Sequence, residues 1–167
     1  MNWLKKSDKH VLILVTAVAF GISSCSEGNK KYLKRTASNW QKYVNEISGK
    51  QPKLTNTVLL VLKSKECEPC IEEIDWWNNF ITESSTLNVY MIIIEKYETT
   101  FTTFLDHNEF EINAFRDETG LVLEQQLVPK TPVKLYIDKK GDVRFLESIN
   151  INSNPENFYN KISQIID

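Results

Sequence analysis

Five consecutive apolar residues, Val58 to Leu62, are followed by Cys67-Glu68-Pro69-Cys70, two cysteines with two residues between them. An unbroken apolar run of this length reads as a strand buried on both faces. Ser64 to Glu66 then turn the chain into a helix whose first turn carries both thiols. Unsatisfied backbone N–H groups collect at a helix N-terminus, and their partial positive charge favours the thiolate, the form that attacks disulfides. Pro69 suits this place because its missing N–H costs nothing in a first turn. Cysteines at i and i+3 can also meet as a disulfide, so the pair can cycle between dithiol and disulfide. Strand, Cys-x-x-Cys and helix, in that order, form the context of a redox motif.

The N-terminus reads as a targeting segment. Lys5, Lys6 and Lys9 precede an apolar run from Val11 to Ile22 that is too short for a comfortable membrane span. Ile22-Ser23-Ser24-Cys25 resembles the bacterial lipobox, which implies cleavage after residue 24 and acylation of Cys25. Two or three acyl chains anchor stably, since each buried methylene contributes about 0.8 kcal/mol. The alternatives are an uncleaved anchor helix or ordinary secretion with Cys25 as a thiol. Each of these puts the domain outside the cytoplasm, and the lipid anchor places it in the bacterial cell envelope, facing the periplasm or the cell exterior. With Cys25 acylated, Cys67 and Cys70 are the two remaining cysteines and have only each other as partners in an oxidising compartment.

The expected organisation is a signal peptide over 1–24, a lipidated tether over 25–32 and one domain over 33–167. The formal charge of the whole chain is −2, and loss of Lys5, Lys6, Lys9 and Asp8 with the leader makes it −4. Nothing in this balance asks for nucleic acid. An apolar content of 41% supports a globular core.

Leu33, Ala37, Trp40, Val44 and Ile47 recur at helical spacing and Gly49 ends the pattern, so an amphipathic helix packs on the domain from its N-terminal side. After the cysteines, Ile71, Ile74, Trp77 and Ile81 share one face of a helix. Trp76 and Phe80 point elsewhere, toward a partner or a second packed layer. Leu87 to Ile94 is the next buried strand, and strand-helix-strand with continuous apolar runs means a parallel right-handed crossover. A short helix bears Phe101, Phe104 and Leu105. Glu111 to Phe115 reads as a short strand, Arg116 to Gly120 as a turn, and Leu121 to Leu127 as one or two helical turns. Val133 to Ile137 and Val143 to Leu146 form a hairpin about Asp138-Lys139-Lys140-Gly141-Asp142. Asn154-Pro155 then starts a last helix with Phe158, Ile162, Ile165 and Ile166 as its buried stripe.

The order of these elements, together with Cys67-Glu68-Pro69-Cys70, Phe115 to Gly120, Val128-Pro129-Lys130-Thr131-Pro132-Val133 and Tyr136 to Val143, resembles the membrane-tethered thioredoxin-like proteins of the TlpA/ResA type over roughly Thr57 to Asp167. The resemblance implies an α/β thioredoxin-like fold, a central mixed sheet with helices on both faces. It also implies attack by Cys67, resolution by Cys70, and Pro132 as a cis-proline facing the disulfide, with Thr131 beside it to meet a client segment. The implied partners are client protein disulfides, a membrane thiol–disulfide electron donor, and the membrane itself through the lipid. Two positions depart from the pattern. Glu66 stands where a Trp commonly precedes the first cysteine, and Val61 stands where a buried carboxylate commonly lies. Glu66, Glu68 or water is left to accept the proton of the resolving thiol, and the resemblance also implies a different acid nearby, at a position the sequence does not identify.

Other chemistries find less support. A zinc site needs three or four ligands, and the mature chain offers Cys67, Cys70 and His107 without clustering. His107 reads as a solvated residue after a short helix. The acids Glu66, Glu68, Glu72, Glu73 and Asp75 complement the dipole of their helix and do not suggest a calcium site. No metal and no cofactor is expected. Two functions from different classes stand: a thiol–disulfide oxidoreductase, and a non-catalytic binding or scaffold lipoprotein with a structural disulfide. For the first, Glu66, Glu68, Glu72 and Glu73 around Cys67 offset the helix dipole. That predicts a reductant or weak isomerase, with a potential nearer about −270 mV than about −120 mV.

Overall fold

The computed structural model describes residues 37–65, 68–83 and 86–166; Cys25, Glu66, Cys67, the leader and the tether lie outside them. Its centre is β1 (Thr57–Lys63), the middle strand of a five-stranded sheet ordered β3-β2-β1-β4-β5. β2 (Asn88–Ile94) and β3 (Asn113–Asp117) run parallel to β1 on one side. On the other side β4 (Val133–Ile137) is antiparallel to β1, and β5 (Val143–Ser148) is antiparallel to β4.

Because strand side chains alternate, the apolar run of β1 feeds two cores at once. Val58, Leu60 and Leu62 face Ile74 and Trp77 of α2 (Glu68–Glu83) and Phe158 and Ile162 of α5 (Pro155–Ser163). Leu59 and Val61 face Trp40, Tyr43 and Val44 of α1 (Ala37–Ser48) and Val122 of α4 (Leu121–Glu124). Val58 through Leu62 are at most 1% exposed. Burying an aliphatic side chain of this size stabilises by about 1.5–3 kcal/mol before entropy is counted. α1 contributes Trp40, Tyr43 and Val44 to the core that holds Leu59 and Val61, and Leu33 of the expected N-terminal helix lies outside the described residues.

Several expectations shift. β3 starts at Asn113 and continues through Arg116 and Asp117, residues that read as a turn in sequence. Asp117 belongs to the strand because its carboxylate is satisfied internally: it accepts from the N–H groups of Gly120, Leu121 and Val122 and from the Tyr43 hydroxyl. Trp76 stacks on Phe80 with ring centroids 5.4 Å apart and meets Tyr159 of α5, so the second packed layer is what is found. Ile165 is 37% exposed, because α5 ends at Ser163 and the helical stripe does not continue past it. The β4–β5 hairpin turns at Gly141 with φ of 85°, and α5 begins with the Asn154 side chain accepting from the Asn157 N–H, as expected.

Candidate active site

β1 and β2 run in parallel and β4 runs against them, so the C-terminal end of β1 and the N-terminal end of β4 share one end of the sheet. The chain leaves β1 there through Ser64 and Lys65 and enters α2, whose third residue is Cys70. Pairing of Val61 with Val133 places Thr131 and Pro132, just before β4, alongside the end of β1. The Thr131–Pro132 bond is cis, as expected, and the Pro132 carbonyl accepts from the Ile149 N–H at 3.0 Å. The structure thus brings Cys70, Pro69, Glu68, Thr131 and Pro132 to one end of the sheet; Cys67 and Glu66 lie outside the described residues. Cys70 is 0% exposed, Pro69 is half-buried and Glu68 is exposed.

Beyond β1, the Ser64 hydroxyl donates to the Glu95 carboxylate, which also accepts from the Tyr97 N–H at 3.0 Å. The Ser64 bond, then the Tyr97 bond, with a smaller contribution from Lys65, hold the Glu95 carboxyl below the usual carboxylate range. An open groove of about 380 Å³ runs from Ser64 along Thr99, Thr100, Thr103 and His107 of α3 (Glu98–Asn108). His107 is exposed in the last turn of that helix.

One turn beyond Cys70 the acidic run divides. Glu72 and Asp75 are exposed, whereas Glu73 is 2% exposed and points inward. The Lys134 ammonium donates to both Glu73 carboxylate oxygens at 2.8 Å, and the Trp77 indole N–H donates to Oε1 at 2.8 Å. Lys134 is itself 1% exposed and lies 5.1 Å from the Phe158 ring centroid. Helical spacing puts Glu73 on the same face as Cys70. Glu73 is therefore a paired internal charge, which corrects its reading as one of four acids that offset the helix dipole at Cys67.

No model of a protein family matches the chain, and no curated protein matches it. Solved structures do. A Chlorobium tepidum protein described as the thiol:disulfide interchange protein DsbE superposes with a TM-score of 0.61 at 18% identity, over 68% of this chain and 82% of that one. StoA from Bacillus subtilis gives 0.54 at 17% identity, over 65% and 83%. A secreted Mycobacterium tuberculosis disulfide oxidoreductase homologous to E. coli DsbE gives 0.55 at 13% identity, over 67% and 84%. The chain has a thioredoxin-like fold.

Within this thioredoxin-like fold the buried acid sits in an unexpected place. Val61, where the resemblance would have a carboxylate, is 0% exposed and packs in the core shared with α1. Glu73 supplies the acid from the opposite sheet face, and Lys134 supplies its counter-charge from β4. Sequence reading missed both. The available signal was a lone lysine inside Val133-Lys134-Leu135-Tyr136-Ile137, a strand otherwise apolar and buried at all five positions.

Proposed function

We propose that this chain is a thiol–disulfide oxidoreductase of the cell envelope, reducing or isomerising client disulfides through Cys67 and Cys70. The observation that carries the reading is a fully buried Cys70 in the first turn of α2, one turn before the Glu73–Lys134 pair and at the same sheet end as Pro132.

The Cys67 thiolate attacks one sulfur of a client disulfide. That bond breaks, the departing client thiolate takes up a proton, and Cys67 is left in a mixed disulfide. Cys70 then gives its proton to the Glu73 carboxylate and attacks the Cys67 sulfur, which releases the second client sulfur as a thiolate; that thiolate takes up a proton as Glu73 gives one up. Two electrons have passed to the client, and the protein holds a Cys67–Cys70 disulfide. A dithiol donor at the membrane returns it to the reduced state. Thr131 and Pro132 serve the client segment from their place before β4, where an extended chain can lie against the sheet end. Glu66, Glu68 and Pro69 complete the motif, and no metal or cofactor enters the cycle.

The test of the reading is equilibration with glutathione buffers. Cys67 and Cys70 are expected to interconvert between dithiol and disulfide at a potential nearer about −270 mV than about −120 mV. Glu68 and Glu72 are solvated acids in the first turns of α2, and they oppose the gain a thiolate draws from the helix N-terminus. A pair that stays oxidised under strongly reducing buffer would favour the scaffold reading. A strongly oxidising potential would reverse the direction.

The anchor belongs to the same proposal: cleavage after residue 24, acylation of Cys25, a tether over 25–32 and the domain from residue 33. Mature Cys25→Ala, without residues 1–24, is expected in the soluble fraction and not with membranes, read by fractionation and by loss of metabolically incorporated fatty acid. Wild-type recovery of the variant in membranes would remove lipidation as the anchor.

A further inference from the structure

A lysine at the middle layer of a sheet needs a reason to be there. Lys134 lies in a strand buried at every position, level with Leu60 of β1 and Glu147 of β5 by strand register. A buried ion pair is seldom more stable than an apolar pair of the same volume, so stability does not account for Lys134 and Glu73. Their place does: Glu73 is one turn from Cys70, and Lys134 is two residues from Pro132.

We propose that Lys134 is a positioning residue for the resolving half-reaction, a fixed counter-ion that holds the Glu73 carboxylate beside Cys70 and then supports the Cys70 thiolate once its proton has moved. This rests on the oxidoreductase reading given above. Before transfer the trio is thiol, carboxylate and ammonium; after it, thiolate, carboxylic acid and ammonium. The net charge is zero in both states, so the proton shifts within a buried site without creating a new uncompensated ion, which a low-dielectric interior would oppose.

The contact geometry fits this exchange. In the described contacts, Oε1 of Glu73 accepts from both Trp77 and Lys134, whereas Oε2 accepts from Lys134 alone. Lys134 bonds both oxygens, so it keeps one bond when a proton arrives on the other. Glu147, across the strands from Lys134, is paired with Lys161 of α5 at 2.5 Å, and the Phe158 ring lies over the ammonium.

The test uses the full chain in detergent micelles, reduced and then mixed with oxidised glutathione, with acid quenching and mass spectrometry to follow the mixed disulfide and its resolution. Lys134→Met leaves Glu73 buried without its cation, and a Cys70 thiolate in that site without the charge that compensates it. Formation of the mixed disulfide is expected to keep its wild-type rate. Resolution at neutral pH is expected to slow at least about tenfold, within the range of general-base contributions, and to recover as pH rises and hydroxide removes the Cys70 proton. The double variant Glu73→Gln with Lys134→Met replaces the ion pair by neutral groups of similar size. It is expected to melt near the wild type and still resolve slowly. Wild-type resolution and an unchanged pH profile in either variant would overturn the role of Lys134, leaving the oxidoreductase reading in place. Failure of the wild type to form either a mixed disulfide or the Cys67–Cys70 disulfide would overturn that reading, and this proposal with it.

Discussion

Serine at position 70 is expected to stop the reaction halfway. The Cys67 thiolate still attacks a client disulfide, but no second thiol is present to break the new bond, so the Cys70→Ser protein accumulates as a mixed disulfide. Turnover should fall to the level of the uncatalysed thiol reaction, while a single equivalent of client remains bound to Cys67. Cys70 is buried and serine differs from cysteine by one atom, so the packing of α2 against β1 should survive the change. Non-reducing gels and intact mass after incubation with a disulfide-bonded peptide read the outcome. Undiminished turnover in this variant would show that Cys70 does not resolve, and would leave the Glu73–Lys134 pair without the role given to it.

Replacing Asp117 with alanine is expected to cost about 3–5 kcal/mol of stability, combining loss of a helix cap with a buried donor left unsatisfied. Asp117 is 1% exposed, and its two oxygens accept from three backbone N–H groups at the start of α4 and from the Tyr43 hydroxyl at 2.9 Å. That one carboxylate ties the end of β3 to α4 and α1. Burial, and then the adjacent carboxylate, push the Tyr43 phenol well above its ordinary range, so it remains a donor at any pH the protein meets. Tyr43→Phe removes one of the four bonds and should cost about 1.5 kcal/mol, in line with hydrogen bonds to charged acceptors. Urea unfolding with an unchanged slope measures both. A change below about 0.5 kcal/mol in Asp117→Ala, typical of a neutral surface site, would contradict this account of the β3 end.

Much of the fold was open to reading because its signals are local. The run Val58 to Leu62 has no competing interpretation, and the alternation of its side chains sends Leu60 to one core and Leu59 to the other. The same holds for Gly141 at the hairpin and Asn154-Pro155 at the start of α5, where each residue type meets a backbone requirement at its own position. Thr131–Pro132 followed from resemblance and not from spacing, and its cis geometry is as that resemblance implies. What escaped was non-local. Arg116-Asp117 looks like turn chemistry until Tyr43, distant in sequence, is seen to bond to the carboxylate. Glu73 looks like a dipole complement of its own helix, since nothing in its neighbourhood names Lys134 as the partner sixty-one positions away. A charge inside an apolar strand is visible in sequence, but what neutralises it is decided by which elements the fold brings together.

The central claim is that Cys67 and Cys70 turn over disulfides. Insulin reduction driven by dithiothreitol tests it most directly, with the full chain and its Cys67→Ser variant assayed side by side in micelles. The account predicts that the wild type accelerates precipitation of the insulin B chain well beyond dithiothreitol alone and that Cys67→Ser gives no acceleration. A wild type no faster than dithiothreitol, or a serine variant as fast as the wild type, would contradict it.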